Sequence, residues 1–246
     1  MLKRYKVIIA YDGTDYYGWQ QQKYEKTVAG VLRQSFKRVF KKDIKFAAAS
    51  RTDAGVHAIG QVATFLCDFV IDPVKLVAAW NSKLPISILI RSAEEVPLSF
   101  NPHNNVIEKE YQYRFSLVRQ LPEHARFITY YDWPVDVQKL QEGLSLFVGK
   151  HDFRSFCCSE YLGDTVRTIN EILLERAGDV YTVTFRGPGF LRHMIRRIVG
   201  ACLMVASRQS LSVNKLQEIL LRRNPEHTLE TAPARGLTLF GIRYKQ

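Results

Sequence analysis

Apolar and polar positions along this 246-residue chain recur at two spacings, one of strands and one of helices. Residues 5 to 11 (YKVIIAY) read as a strand. The stretch TVAGVLRQSFKRVFKK, 27–42, then sets Val28, Val31, Leu32, Phe36 and Val39 at helical spacing with Thr27 as cap, and gives Arg33, Lys37, Arg38, Lys41 and Lys42 to the rest of the helix. In AAASRTDAGVHAIGQVATF, 47–65, the period changes: Val62, Thr64 and Leu66 alternate with Ala63, Phe65 and Cys67, and Asp53-Ala54-Gly55 reads as a turn between extended flanks. A second helix, DPVKLVAAWNSKL, starts at Asp72 with Pro73 in its first turn, and ISILIRSAEEV returns as a strand.

A similar order starts again at KEYQYRFSL, where Tyr111, Tyr113 and Phe115 share a face. DVQKLQEGLSLFVG aligns Val137, Leu140, Leu144 and Phe147 in one stripe between Asp136 and Gly149. VRTINEILLERAGDVYTVTFRG predicts a hairpin about Ala177 to Asp179, GFLRHMIRRIVGACLMVASR a long helix, SVNKLQEILLRRN a shorter one ending before Pro225, and LTLFGIRY a closing strand. The order strand, helix, strand, strand, helix, strand predicts an α+β fold of two ferredoxin-like (split βαβ) halves, residues 1–105 and 106–246, with mixed or antiparallel sheets. No low-complexity linker separates them, so a shared interface with a central cleft for a ligand is expected.

Charge narrows the partner. The chain carries a net +11, and both halves are basic: 15 Lys+Arg against 9 Asp+Glu up to Asn105, and 20 against 15 after it. Nucleic acid is the natural partner of such a balance, although a high pI also serves solubility. The start, MLKRYKVIIAYDG, has only a short apolar run before Tyr11, and the longest one, Ile198 to Ala206, falls short of the roughly 20 residues of a membrane span. No membrane partner is expected. Cys67, Cys157, Cys158 and Cys202 lack metal-ligand spacing and read as reduced thiols of a cytoplasmic protein.

Among chemical motifs, no glycine-rich phosphate loop follows a strand, and the six histidines are scattered. No metal site and no cofactor are expected. The Arg51-Thr52-Asp53 turn instead places a charged pair where two buried strands change direction. In FLRHMIRRIVGACL, Leu191, Met194, Ile195, Ile198 and Cys202 make a buried stripe while Arg196 shares an apolar row with Val199 and Leu203. A partly buried guanidinium there calls for an acid from elsewhere in the fold, and Asp53 is the candidate. The plainer alternative is that Arg196 snorkels to solvent.

Six segments in order, YDGTDYYGWQ, SRTDAGVHAIGQV, KEYQYRF, HDFRSF, FLRHMIRRIVG and APARGLTL, resemble the TruA family of tRNA pseudouridine synthases and span the chain from Tyr11 to about Leu239. The resemblance implies a cofactor-free isomerase acting on uridines on the 3′ side of the tRNA anticodon stem-loop, working as a homodimer, with RNA bound in the central cleft. Asp53 falls on the family's essential aspartate, Arg51 on an arginine that helps extrude the target base, Tyr111 on the active-site tyrosine, and Arg196 on the basic residue paired with the aspartate. YDGTDYYGWQ is read as structural. Three departures bear on substrate range: Ser50 stands where glycine usually precedes Arg-Thr-Asp, Phe100-Asn101-Pro102-His103 replaces Phe-His-Ala-Arg, and Thr27-Val28-Ala29 replaces Thr-Val-Gln. If position 50 needs a positive φ, serine costs about 1 kcal/mol there.

Pseudouridine formation breaks the bond from uracil N1 to ribose and rejoins the base through C5, with nothing oxidised, reduced or supplied. A carboxylate can start it at ribose C1′, at uracil C6 or by removing a ribose proton, and a neighbouring arginine favours its ionised form. The target base must leave its stack, and Tyr111 is expected to stack on it. Three rivals remain: a related synthase with other RNA targets, a non-catalytic RNA-binding module, and a metal-dependent nuclease or phosphotransferase using Asp12, Asp15 and Asp53.

Overall fold

The computed structural model describes residues 2–158, 160–161, 163–226 and 229–245. The chain divides into two compact units, Met1–Ile107 with Thr238–Gln246, and Glu108–Leu237. The division lies two residues beyond the expected one, and the closing strand, expected in the second half, is counted with the first unit from Thr238 onward.

The first unit opens with β1 (Lys3–Tyr11), α1 (Val28–Phe40), β2 (Ala47–Ala48), β3 (His57–Cys67), α2 (Pro73–Asn81) and β4 (Ile88–Val96). β1 lies between β4 and β3 and is antiparallel to both, with Val7 opposite Ala93 and Ala63. β2 joins β3 antiparallel, with Ala48 opposite Ala63. Tyr5, Val7, Ile9 and Tyr11 alternate into the core while their neighbours stay half-buried, the period-2 pattern of a strand covered more on one face. β3 behaves differently. Ile59 and Leu66 are its only exposed residues, so the alternation expected there is hidden by burial on both faces.

Both helix starts form as the sequence predicts. The Thr27 hydroxyl accepts from the Gly30 N–H, and the Asp72 carboxylate accepts from the N–H groups of Val74 and Lys75. α1 buries Val28, Leu32 and Phe36 but leaves Val31 and Val39 half-buried. Phe36 meets Phe65 and Trp80 edge-on, with centroids 5.2 and 5.0 Å away, and the Trp80 indole N–H donates to the buried Ser35 hydroxyl at 2.9 Å. Arg33 on α1 pairs with Asp43; Lys41 and Lys42, expected within the helix, follow its end, with Lys41 left-handed at φ 58° and Lys42 paired with Asp68 at 2.7 Å.

The second unit holds most of β5 (Val106–Ser116), then α3 (Pro122–Ala125), β6 (Thr129–Tyr130), α4 (Val137–Ser145), β7 (Gly149–Asp152), β8 (Val166–Ile169), β9 (Glu171–Ala177), β10 (Val180–Gly187), α5 (Met194–Ser207) and α6 (Asn214–Arg222). β10 pairs antiparallel with β5 and β9, β6 adds to β5 in parallel, and β7 and β8 form a separate ribbon. The β9–β10 turn uses Gly178 at φ 58°, as the expected hairpin requires. Asp136 caps α4 through the Lys139 N–H, but Val137, assigned to the buried stripe, is exposed.

The long helix expected from Gly189 begins only at Met194. His193 sits at φ 66°, a left-handed conformation that cannot lie inside a right-handed helix. From Ile198 to Ala206 every residue of α5 is buried, which makes this helix the centre of its unit rather than an amphipathic cover.

The chain ends in β11 (Leu237–Tyr244), which runs parallel to β3 with Thr238 opposite His57. The Tyr244 hydroxyl donates to the Pro102 carbonyl at 2.8 Å, and the Lys245 N–H to Asn105 at 2.8 Å. No helix among the described residues is long and apolar enough to cross a membrane.

Trp80 is fully buried and touches three aromatic rings, so Trp80→Ala is expected to cost about 3 to 5 kcal/mol in urea unfolding. A loss under about 1 kcal/mol would mean that this core can collapse around the cavity.

Candidate active site

Arg51 and Asp53 sit on the connection from β2 to β3, residues 49–56, longer than the tight turn expected from Asp-Ala-Gly. Arg51 is exposed, Thr52 buried and Asp53 half-buried. Such a loop has few hydrogen bonds of its own and must borrow its rigidity. The lender is the segment 11–19, within YDGTDYYGWQ. The Trp19 N–H donates to the Thr52 carbonyl at 3.1 Å, the Gly55 N–H to the Tyr16 carbonyl at 3.2 Å, and the Tyr11 and Thr52 hydroxyls bond at 2.8 Å in the interior.

Two glycines allow this approach. A Cβ at Gly18, whose φ is 82°, would stand 2.5 Å from the Thr52 carbonyl oxygen, and one at Gly13 would stand 2.0 Å from that of Val56. The Gly18 and Trp19 carbonyls accept from the first N–H groups of α1, so the segment is itself anchored to a helix start. The other flank is held by Gln61 on β3. It is fully buried, and its amide donates to the Ser50 carbonyl at 2.7 Å. Ser50 does not adopt a positive φ, so the strain that would have penalised serine at this position does not arise.

His57 is also structural. It is buried, and its Nδ1 accepts from the Gly13 N–H at 3.0 Å. That bond makes Nδ1 an acceptor, and an Asp12 carboxylate oxygen lies 3.2 Å from the same nitrogen. The same Asp12 oxygen takes the N–H and hydroxyl of Thr14, at 3.0 and 2.6 Å. Among the described residues, no three His, Cys, Asp or Glu side chains are grouped to hold a metal ion, and His227 lies outside them.

In the second unit Tyr111 stands opposite Phe185 on β10 and is 6% exposed, its ring meeting Phe190 edge-on at 5.4 Å. Tyr113, on the same face, is committed to the core. Its hydroxyl bonds Thr129 at 2.9 Å and donates to the Pro233 carbonyl at 3.0 Å, and burial pushes it up to about 12. It therefore stays protonated at neutral pH.

Arg196, in the first turn of α5, is half-buried. Its Nε donates to the Ala232 carbonyl at 2.8 Å while the Ala232 N–H donates to the Arg196 carbonyl at 2.9 Å. Gly200 makes room for that segment, since a Cβ there would stand 2.3 Å from the Glu230 carbonyl. Arg197 does something else: its Nη1 gathers the carbonyls of Ser155, Cys157 and Pro225 at 3.2, 2.7 and 3.0 Å. Arg154 adds a bond to the Tyr161 carbonyl. The HDFRSF segment is thus tied to α5 by backbone recognition.

The structure thus brings Arg51 and Asp53 together in the first unit and carries Tyr111 and Arg196 in the second. Tyr11, Trp19, Gln61 and Arg197 were not among the residues proposed from the sequence. Gln61 had a usable signal, since a glutamine inside an apolar strand must find a buried partner.

A family profile described as tRNA pseudouridine synthase matches residues 7–103 and 144–245. The chain is 40% identical over 246 residues to the tRNA pseudouridine synthase A of Brevibacillus brevis, covering 99% of this chain and 100% of that protein. It is 38% identical over 256 residues to the Bdellovibrio bacteriovorus protein of the same name, covering 100% and 97%, and 33% identical over 251 residues to that of Thermodesulfovibrio yellowstonii, covering 97% and 98%.

Gly18→Ala is expected to cost about 1 to 3 kcal/mol in urea unfolding, because it adds both a disfavoured φ and a backbone clash at Thr52. Unchanged stability would show that the 11–19 segment can retreat without penalty.

Proposed function

The chain belongs to the tRNA pseudouridine synthase family, isomerases that convert uridine to pseudouridine in tRNA, and on that premise we propose how its residues divide the work. The reaction detaches uracil from ribose at N1 and rejoins it through C5. Asp53 is the nucleophile, attacking either ribose C1′ or uracil C6, or else the base that removes a ribose proton. The observation that carries this assignment is the hydrogen-bonded support of the loop next to Asp53: neighbouring Thr52 is buried and held through both its carbonyl and its hydroxyl, while Asp53 itself is half-buried. A nucleophile must be held within a fraction of an ångström of its reacting atom, and a loop fixed from both flanks meets that demand.

Arg51, exposed two residues before Asp53, assists extrusion of the target base. Tyr111 stacks on that base and helps remove the C5 proton at the end. Arg196 supplies positive charge that favours an ionised nucleophile. The substrate uridine lies on the 3′ side of the tRNA anticodon stem-loop, the enzyme is a cytoplasmic homodimer, and no cofactor takes part. The basic balance of the chain supports RNA binding through phosphates, which position the substrate without reading sequence.

With a tRNA transcript carrying C5-tritiated uridine, the wild type is expected to release tritium equally with and without EDTA, and Asp53→Asn to lose about 10³-fold or more of that rate. Release that stops in EDTA would point to a metal-dependent reaction instead, and an active Asp53→Asn would remove Asp53 from its role. Tyr111→Phe is expected to bind RNA and stall after glycosidic cleavage, seen as uracil-detached intermediate without tritium release. Full turnover would reject the proton-transfer role. The solution mass at micromolar concentration is expected to be that of a dimer, and a monomer mass would contradict the assembly.

A further inference from the structure

β5 carries Lys109 two residues before Tyr111, so both side chains leave the same face of the strand about 7 Å apart along it. Opposite Lys109 on β10 stands Gly187, and the space its Cβ would fill is already occupied: the Thr168 carbonyl oxygen lies 2.6 Å away, Phe190 Cζ 3.4 Å and Ile169 Cα 3.5 Å. That close approach sets β8 against this end of β5 and brings Arg167, the residue before Thr168, to the same corner. Phe190 also meets Tyr111 edge-on, so one corner of the second unit gathers Lys109, Arg167 and the tyrosine assigned to the target base.

Two like charges meet there. Burial, and then the Arg167 charge, press the Lys109 ammonium down to about 8, so the folded protein holds a poorly hydrated cation beside a second one. Arg167 is braced on its own strand, its Nη1 donating to the carbonyls of Asp164 and Val166 at 3.1 and 2.6 Å, with the exposed Asp164 carboxylate 3.8 Å away. A phosphodiester placed against both cations would relieve their repulsion and replace the water Lys109 has lost.

We propose that Lys109 and Arg167 bind a backbone phosphate of the RNA beside the nucleotide whose base Tyr111 contacts. The proposal rests on the reading of the chain as an RNA-modifying enzyme. It assigns a positioning role through charge, and lysine or arginine serves it alike.

The test titrates the full-length wild type, Lys109→Gln, Lys109→Arg and Arg167→Gln with a fluorescent tRNA transcript over a series of KCl concentrations. Lys109→Gln and Arg167→Gln are each expected to lower the slope of log affinity against log salt by about 1 and to weaken binding about 5-fold at physiological salt, with Lys109→Arg keeping both. Wild-type slopes in both glutamine variants would overturn the proposal, and so would an equal loss in Lys109→Arg, which would mean packing rather than charge. If Lys109→Gln does not fold, judged by its melting curve, Arg167→Gln on the half-buried β8 position decides alone. Wild-type tritium release is measured alongside: tight binding without release would sink the enzymatic reading and leave the salt slopes to judge the phosphate site.

Discussion

Everything proposed for the first unit depends on backbone reaching backbone between residues 11–19 and the loop carrying Asp53. Thr52 is the focus of that contact, its carbonyl accepting from Trp19 and its hydroxyl bonded to Tyr11 in the interior. Buried hydrogen bonds of this kind add only about 1 kcal/mol each to stability, but leaving one unmade costs more, so the loop has a single well-satisfied position. Glycine at 13 and 18 is the condition for that closeness, because any side chain there would collide with a carbonyl. The same segment caps α1 by accepting its first N–H groups, so the loop's position is tied to the aromatic core of Phe36, Phe65 and Trp80.

The second unit uses arginine where the first uses glycine. Arg196 and Arg197 are neighbours in the chain, yet one fixes the segment at Ala232 and the other collects carbonyls from residues 155, 157 and 225. A guanidinium is suited to this, since its several donors are held in a rigid plane and can serve carbonyls from separate segments at once. Buried α5 supplies the fixed base for both.

The basic character of the chain is unevenly available. Arg33 and Lys42 are occupied by Asp43 and Asp68, and Arg186 is held by Glu110 and Glu171, so the count of 35 Lys and Arg overstates the cationic surface offered to a polyanion. Lys109 and Arg167 matter because their charges press on one another, which together with burial lowers the Lys109 ammonium.

Period and punctuation were enough to place the helices starting after Thr27, Asp72 and Asp136, the hairpin at Gly178 and the face shared by Tyr111, Tyr113 and Phe115, because these follow from local sterics and hydrogen bonds within a few residues. The Arg-Thr-Asp motif was equally legible as a charged pair in an apolar setting. Tertiary structure decided the rest. β3 is covered on both faces, so its alternation carried no information. His193 takes a left-handed φ that delays α5 past its hydrophobic pattern, and β11 leaves the second half of the chain to pair with β3. Two supports of the site, Tyr11 and Trp19, were equally hidden, because a hydrogen bond between residues 33 or 41 positions apart leaves no periodic trace. It exists only once burial has removed water as the competing partner.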